Sequence, residues 1–246
     1  MTWFEGPLAA FGTATTGADA EEDRIVVAAL VVQDLAGVRP RVTRWLVDPG
    51  VPVPAEVAGG LGLTDDCLHR TGRWPAPVVA EVAGALGGQC TAGRPLVVMD
   101  APFGLTVLDR ELRRHRATSL ARLLTGAPFH VLDPCVLDGH LDRYRKGPRA
   151  LADLSEHYKA ERAEPADGAR GEPTTLAALT ALEVVRAIGR RFATRLERLG
   201  AAELHGLQAG WHAELARGQQ SWFSRAGEEA AGAGWPLRPE RPAEAA

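Results

Sequence analysis

The chain has 246 residues, of which 46% are hydrophobic and 24% are charged. This length suits one α/β core with an appendage, and the composition excludes a disordered or membrane-embedded chain. With 28 Lys and Arg against 31 Asp and Glu, the net charge is −3. That balance argues against strong nonspecific nucleic-acid binding, although a local basic stripe can still bind phosphate.

The cysteines indicate the compartment. Cys67, Cys90 and Cys135 are odd in number and widely spaced, and they form no paired motif that would hold zinc. The first residues lack a basic stretch followed by an apolar one, and no segment approaches the length of a membrane span. We therefore expect reduced thiols in a cytoplasmic protein that does not contact a membrane.

Strands and helices are predicted from apolar periodicity. The first three strands cover residues 7–11, 24–32 and 40–47, and the short turns between them indicate an antiparallel meander. The remaining elements, in chain order, are a helix at 77–89, a strand at 94–99, a helix at 105–115, a strand at 129–132, and helices at 134–144, 150–160, 174–199 and 201–222. This order predicts an α/β fold with a mixed five-stranded sheet, the meander plus parallel strands, flanked by helices.

We expect the chain to consist of three structural parts. Residues 1–199 form the α/β domain, and residues 200–229 form a C-terminal helical extension. Residues 230–246 are rich in Gly, Ala, Pro and Glu, so we expect a flexible tail there despite Trp235, because such a segment buries too little apolar area to become ordered.

Residues 11–17 read FGTATTG. They resemble the first motif, F-D-x-E-T-T-G, of the DnaQ-like (DEDDh-type) 3′→5′ exonucleases, and Gly12 and Ala14 stand where that motif has its two acids. Residues 99–105, MDAPFGL, are similar to the second motif, N-A-x-F-D-L, with Gly104 in place of the acid. The resemblance implies an RNase H-like fold over residues 5–195.

The third motif of this family, H-D-A-x-x-D, is placed by counting back from residues 184–188, VVRAI. In this register Glu172 takes the general-base His position, Pro173 the following acid, and Ala177 the last metal ligand. The family's I-H-G-I-T segment corresponds to residues 61–64, LGLT, again without the His. Residues 132–134 and 142–147 are similar to actinobacterial members.

The resemblance implies chemistry that needs two Mg²⁺ or Mn²⁺ ions held by carboxylates. Gly12, Ala14, Gly104 and Ala177 offer no side-chain oxygen, and Glu172, with an ordinary pKa of about 4.3, is a weak general base. We therefore expect no metal cofactor, no catalytic residue and an inactive exonuclease-like protein.

Other interpretations stay open. The chain could be a drifted copy or a residual exonuclease with a rebuilt metal site, for which the candidate acids are Asp100, Asp109, Asp142 and Glu172. It could also be a different enzyme on a borrowed fold that uses Cys135 or Asp100, although no motif supports this.

A binding site for single-stranded nucleic acid or a nucleotide is the preferred role. The resemblance implies that Thr15, Thr16 and Phe103 frame a terminal nucleotide, and Thr13 and Asp100 complete the predicted set. The candidate phosphate contacts are Arg143, Arg145, Lys146 and Arg149 in one cluster and Arg110, Arg113, Arg114 and Arg116 in another; for each cluster the alternative is a solvated helix face.

The runner-up role is a protein-interaction scaffold. In the helix at 201–222, Leu204, Leu207, Trp211 and Leu215 form an apolar stripe that could dock on a protein partner or on the domain itself. Docking on the domain is the favoured interpretation.

Overall fold

The computed structural model describes residues 2–126, 128–160, 172–226 and 234–240. Its five-stranded sheet has the order β3-β2-β1-β4-β5. The strands are β1 (Leu8–Thr15), β2 (Ile25–Gln33), β3 (Arg41–Leu46), β4 (Leu96–Val98) and β5 (Val131–Leu132). Strands β1 to β3 pair antiparallel, whereas β4 runs parallel to both β1 and β5. The predicted mixed five-stranded sheet is confirmed.

The helices flank this sheet. They are α1 (Ala55–Leu61), α2 (Asp65–Thr71), α3 (Pro75–Thr91), α4 (Ala101–Arg116), α5 (Leu120–Leu123), α6 (Pro134–Leu141), α7 (Leu151–Tyr158), α8 (Pro173–Arg191), α9 (Ala193–Leu196) and α10 (Ala201–Ala226). The short helices α1, α2 and α5 were not predicted, because each has too few residues to show a helical period. The helix expected at 174–199 is divided at Phe192 into α8 and α9.

The sheet separates two layers of core side chains. Along β1, Leu8 and Ala10 pack with α7 and α8, and the intervening Ala9 and Phe11 pack with α3 and α4. This alternation follows from the two-residue period of a strand. Strand β2 is buried along its whole length, because helices cover both faces of the sheet at its centre.

Helix α10 covers the free edge of β5. The Val131 N–H donates to His205 Nδ1 at 3.1 Å, and Gln208 donates to Val131 O at 2.9 Å while accepting from the Asp133 N–H at 2.8 Å. These side chains satisfy backbone groups that would otherwise leave an open sheet edge. Leu204 is buried, Trp211 packs on the same core and Leu215 lies against α6. Three members of the predicted stripe, Leu204, Trp211 and Leu215, thus pack on the domain, whereas the fourth, Leu207, is 38% exposed.

Residues 234–240 also pack on the domain. The Arg238 N–H donates to Thr106 Oγ1 at 2.9 Å, Arg110 donates to Pro239 O at 2.9 Å, and Trp235 and Leu237 lie against the core. This segment departs from the flexible tail expected over residues 230–246, because its backbone carbonyls accept hydrogen bonds from a buried guanidinium. The rest of the predicted tail lies outside the described residues. None of the described helices is long and apolar enough to cross a membrane.

Candidate functional site

Segments far apart in the sequence meet at one small cavity of about 170 Å³. It lies where β1 and β4 meet helices α4, α7 and α8. Its lining consists of Phe11, Gly12, Thr13, Val98, Met99, Phe103, Gly104, Leu151, Ala177, Ala178 and Ala181. Three positions at which the exonuclease motifs carry acids, 12, 104 and 177, therefore share one cavity, and each lacks a side-chain oxygen.

The fourth such position, Ala14, is not part of this lining. It packs instead against a small apolar cluster that contains Val27 and Leu68, with Leu61 and Leu63 at its border. The segment corresponding to I-H-G-I-T thus supplies apolar contacts beside β1, and its first residue ends α1.

The close approach of α8 accounts for the glycine at position 12. A Cβ atom at Gly12 would lie 3.2 Å from Thr174 O and 3.4 Å from the Ala178 Cβ. A side chain at this position would need the Thr174 carbonyl, in the first turn of α8, to shift by a few tenths of an ångström. At Gly104 a Cβ would meet only ordinary contacts, 3.5 Å from Val98 Cγ1 and 3.8 Å from Thr13 Oγ1.

Glu172 acts as the N-cap of α8. Its two carboxylate oxygens accept the N–H groups of Thr174 at 2.9 Å and Thr175 at 2.7 Å, and Pro173 occupies the first turn, where a missing N–H does no harm. Burial acts to raise the pKa of Glu172, but the hydrogen bonds from Thr175 and Thr174 outweigh it and hold the pKa below its usual value. A capped, ionised carboxylate is poorly suited to accept a catalytic proton.

The other acids considered from the sequence lie outside the cavity lining. Asp100 is exposed in a left-handed conformation (φ 50°) before α4. Asp109 is buried against Arg110 and Arg113, and Asp142 bonds His157 at 3.0 Å. Within the described ranges, no group of three or more His, Cys, Asp or Glu residues is arranged to hold a metal ion. The donor set present around the cavity does not fit two divalent cations, which need several oxygen ligands.

A buried aspartate instead organises the helices beside the cavity. Asp133 accepts the N–H groups of Ala101 and Cys135, both at 2.9 Å, and so caps α4 and α6 together. Burial raises the pKa of Asp133 to about 7. Burial likewise raises the pKa of the Cys135 thiol far above its usual value, so this cysteine is held as a thiol and is a poor nucleophile.

The predicted nucleotide-framing residues divide into two groups. Thr13 and Phe103 line the cavity. Thr15 donates its hydroxyl to Gly17 O at 2.6 Å, and Thr16 donates to Asp23 Oδ1 at 2.7 Å. Thr15 and Thr16 therefore use their hydroxyls to shape the turn after β1, a local role that the motif letters do not reveal.

The predicted phosphate contacts of the first cluster fall into two groups, those bound to an internal acid and those exposed to solvent. Arg145 donates from Nε to Asp138 Oδ1 at 3.0 Å, and Arg149 donates to the other oxygen of the same carboxylate at 2.6 Å. Arg145 is therefore an internal partner of a buried acid and is not a free phosphate ligand. Arg143 and Lys146 are exposed. Arg145 and Arg149 both bind Asp138, and a phosphate-binding role for the four residues stays a prediction.

The second basic cluster is largely neutralised. Arg110 pairs with Glu21 at 2.6 Å, Arg113 pairs with Asp109 at 2.7 Å, and Arg114 pairs with the buried Glu111. Glu21 was missed because it lies far from α4 in the sequence, whereas Asp109 and Glu111 lie on α4 itself, one turn before Arg113 and Arg114. Arg116 borders a larger groove of about 710 Å³ between α3, α4 and residues 118–126 and 128. The lining of that groove includes no motif position.

Comparison with solved structures shows an exonuclease fold. Similar chains include exonuclease X in complex with 5′-overhanging duplex DNA (17% identity, 82% of this chain and 99% of that chain, TM-score 0.53). Others are exonuclease I from Methylocaldum szegediense (15% identity, 89% and 45%, TM-score 0.58) and E. coli exonuclease I in complex with a dT13 oligonucleotide (14% identity, 77% and 43%, TM-score 0.53).

At these identities the likeness is one of fold. The chain spans nearly all of the exonuclease X structure but less than half of the exonuclease I structures. No protein-family model matches the sequence, and no curated protein matches it.

Proposed function

We propose that this protein binds single-stranded nucleic acid or a nucleotide in the cleft of an exonuclease fold and does not hydrolyse it by a metal-dependent route. The observation that carries the proposal is the chemistry of the cavity. Gly12, Gly104 and Ala177 meet there without a side-chain oxygen, so the cavity has no carboxylates to bind a divalent ion.

Binding without cleavage is consistent with the charges around the cavity. A site without carboxylates repels a phosphate backbone less than one that contains four, and Thr13 and Phe103 still line it. Glu172 remains ionised but directs both oxygens at the N–H groups of α8. The solved structures of similar fold include proteins in complex with DNA, which supports a nucleic-acid ligand for this cleft.

Two assays test the proposal on the full chain. We expect fluorescence anisotropy to detect binding of a labelled single strand at low salt in the presence of EDTA, because backbone contacts are strongest when few counterions compete. We expect no shortening of a 5′-labelled strand when Mg²⁺ or Mn²⁺ is added. Degradation that EDTA abolishes would refute the loss of hydrolysis, and an absence of binding at low salt would refute the binding role.

A protein-interaction scaffold is the role left if no oligonucleotide or nucleotide binds. The structure weakens its main sequence argument, because α10 uses Leu204, Trp211 and Leu215 against the domain. The structure has Cys67, Cys90 and Cys135 as free thiols. The cytoplasmic location stays a prediction.

A further inference from the structure

The loop between α6 and α7 carries an exposed aromatic ring among basic side chains. Tyr144 is 89% exposed. The guanidinium carbon of Arg143 lies 6.0 Å from the centroid of its ring, and Lys146 is exposed two residues later. We call residues 143–146 the loop tip. An aromatic ring interleaved with basic residues is the composition that proteins use to stack bases and contact a single-stranded backbone.

The loop tip is held in place by a buried carboxylate. Asp138 is completely buried, and it accepts hydrogen bonds from Arg145, from Arg149 and, at 2.7 Å, from the Tyr158 hydroxyl. Arg145 also donates to Pro148 O at 2.9 Å. Because one carboxylate binds arginines on both sides of the turn, the loop is fixed from within, and Tyr144 projects into solvent from a supported backbone.

The same loop reaches the wall of the cavity. The Arg149 carbonyl accepts from Cys135 Sγ at 3.4 Å, and this sulfur lies 3.8 Å from Met99 Sδ. Met99 and Leu151 both line the cavity. Tyr144 and Arg149 are five positions apart, so their Cα atoms are at most ~18 Å apart. A single strand of several nucleotides whose end occupies the cavity is long enough to reach the loop tip.

The charges around the loop tip favour an anionic ligand. Burial lowers the pKa of His140, and the neighbouring cations Arg195 and Arg143 lower it further, against an opposing effect of Glu214. The acid next to the loop tip, Asp142, bonds His157 at 3.0 Å. Among the described residues, neither Arg143 nor Lys146 forms a salt bridge.

We propose that Tyr144 stacks on a base of a single strand whose end occupies the cavity, while Arg143 and Lys146 contact the backbone of that strand. This inference rests on the proposed function and specifies its ligand as a single strand longer than one nucleotide. Bases in a duplex are already stacked on one another, so the geometry favours single strands over blunt duplexes.

The test compares Tyr144→Ala with two controls in the full chain. Tyr144→Phe keeps the ring, and Trp74→Ala removes another exposed aromatic, 79% exposed, at the start of α3. We expect Tyr144→Ala to weaken binding of a labelled single-stranded oligonucleotide by at least about fivefold, with Tyr144→Phe and Trp74→Ala within about twofold of the parent. In the double variant Arg143→Ala, Lys146→Ala, the slope of log binding constant against log salt concentration should become shallower by about 0.7 for each lost phosphate contact.

The outcomes separate the two proposals. If the parent protein binds no oligonucleotide, the proposed function fails. If the parent binds and Tyr144→Ala binds equally well, the function stands and the role of Tyr144 is refuted. An equal loss in Trp74→Ala would also refute it, since the effect would then not belong to this loop. Because Tyr144 is exposed, its replacement should leave the thermal transition unchanged.

Discussion

Replacing Asp138 by Asn tests whether a buried carboxylate supports the loop between α6 and α7. The carboxylate lies in the interior and is contacted by Arg145, whose side chain is 7% exposed, by Arg149 and by the Tyr158 hydroxyl. Asparagine keeps the shape but removes the negative charge and presents an NH₂ group to donors. The Arg145 guanidinium would then be a buried charge without the carboxylate that it contacts.

We expect Asp138→Asn to lower the free energy of unfolding by a large amount for a variant that exchanges one oxygen for an amide nitrogen. Breaking a buried ion pair from one side destabilises a protein by about 3–5 kcal/mol, because the remaining charge is left desolvated. For a chain of this size, each kcal/mol lowers Tm by about 2–4 °C, which gives a decrease of ~6–20 °C. Urea unfolding followed by circular dichroism, together with scanning calorimetry, measures both quantities.

The matched control is Asp66→Asn, which breaks an exposed ion pair with Arg70 on one turn of α2 (2.9 Å; Asp66 is 74% exposed). Such a pair contributes about 0.3–0.5 kcal/mol. If Asp138→Asn loses no more stability than Asp66→Asn, the carboxylate does not support the loop as argued. If it is destabilised as expected, oligonucleotide binding should also weaken at temperatures where the variant is still folded, because Tyr144 would lose its fixed backbone.

Two further predictions concern the cavity and its neighbours. Gly12→Ala should lower the free energy of unfolding by about 1–3 kcal/mol, because its Cβ would crowd Thr174 O. Gly104→Ala should raise the free energy of unfolding by about 0.5–1 kcal/mol, because alanine suits a helix interior with room for a methyl group. Urea unfolding measures both changes, and a result that ranks the two variants in the opposite order would contradict the packing at β1. Since burial raises the folded-state pKa of Asp133 from 3.8 to about 7, its neutral form is favoured on folding, and its contribution to stability is full below pH 3.8 and is lost as the pH rises through about 7. Asp133→Asn should abolish this trend in unfolding experiments between pH 4 and 8, and an unchanged pH slope would show that Asp133 is not the group responsible.

The sheet could be predicted because its signals are local. The uninterrupted apolar run of β2 is long enough to identify a central strand, and the alternation in β3 identifies a half-covered one. The motif spacing also placed positions 12, 104 and 177 on elements that meet at one cavity. The motifs could not predict the distance between these elements, and this distance determines how much room position 12 has for a carboxylate.

The partners of charged side chains were the least predictable feature. Arg110 looked like one of four cations on a helix face, yet it is buried between Glu21, which precedes β2, and carbonyls of residues 238 and 239. Arg145 looked like a phosphate ligand, yet a turn brings it back onto Asp138. Spacing along the chain reports neither contact, because each depends on where a loop closes in three dimensions.

The cavity also differs from a metal site by more than its missing acids. At position 12 the first turn of α8 lies so near β1 that a Cβ would be 3.2 Å from Thr174 O, so an acid there would need this carbonyl to shift by a few tenths of an ångström. At position 172 the carboxylate caps that same turn, and replacing it with histidine would remove a cap that contributes about 1 kcal/mol. Displacing the first turn of α8 and uncapping it would both weaken one of the three helices that line the cavity. The packing of α8 therefore disfavours an acid at position 12 and a histidine at position 172, while Thr13 and Phe103 line the cavity wall.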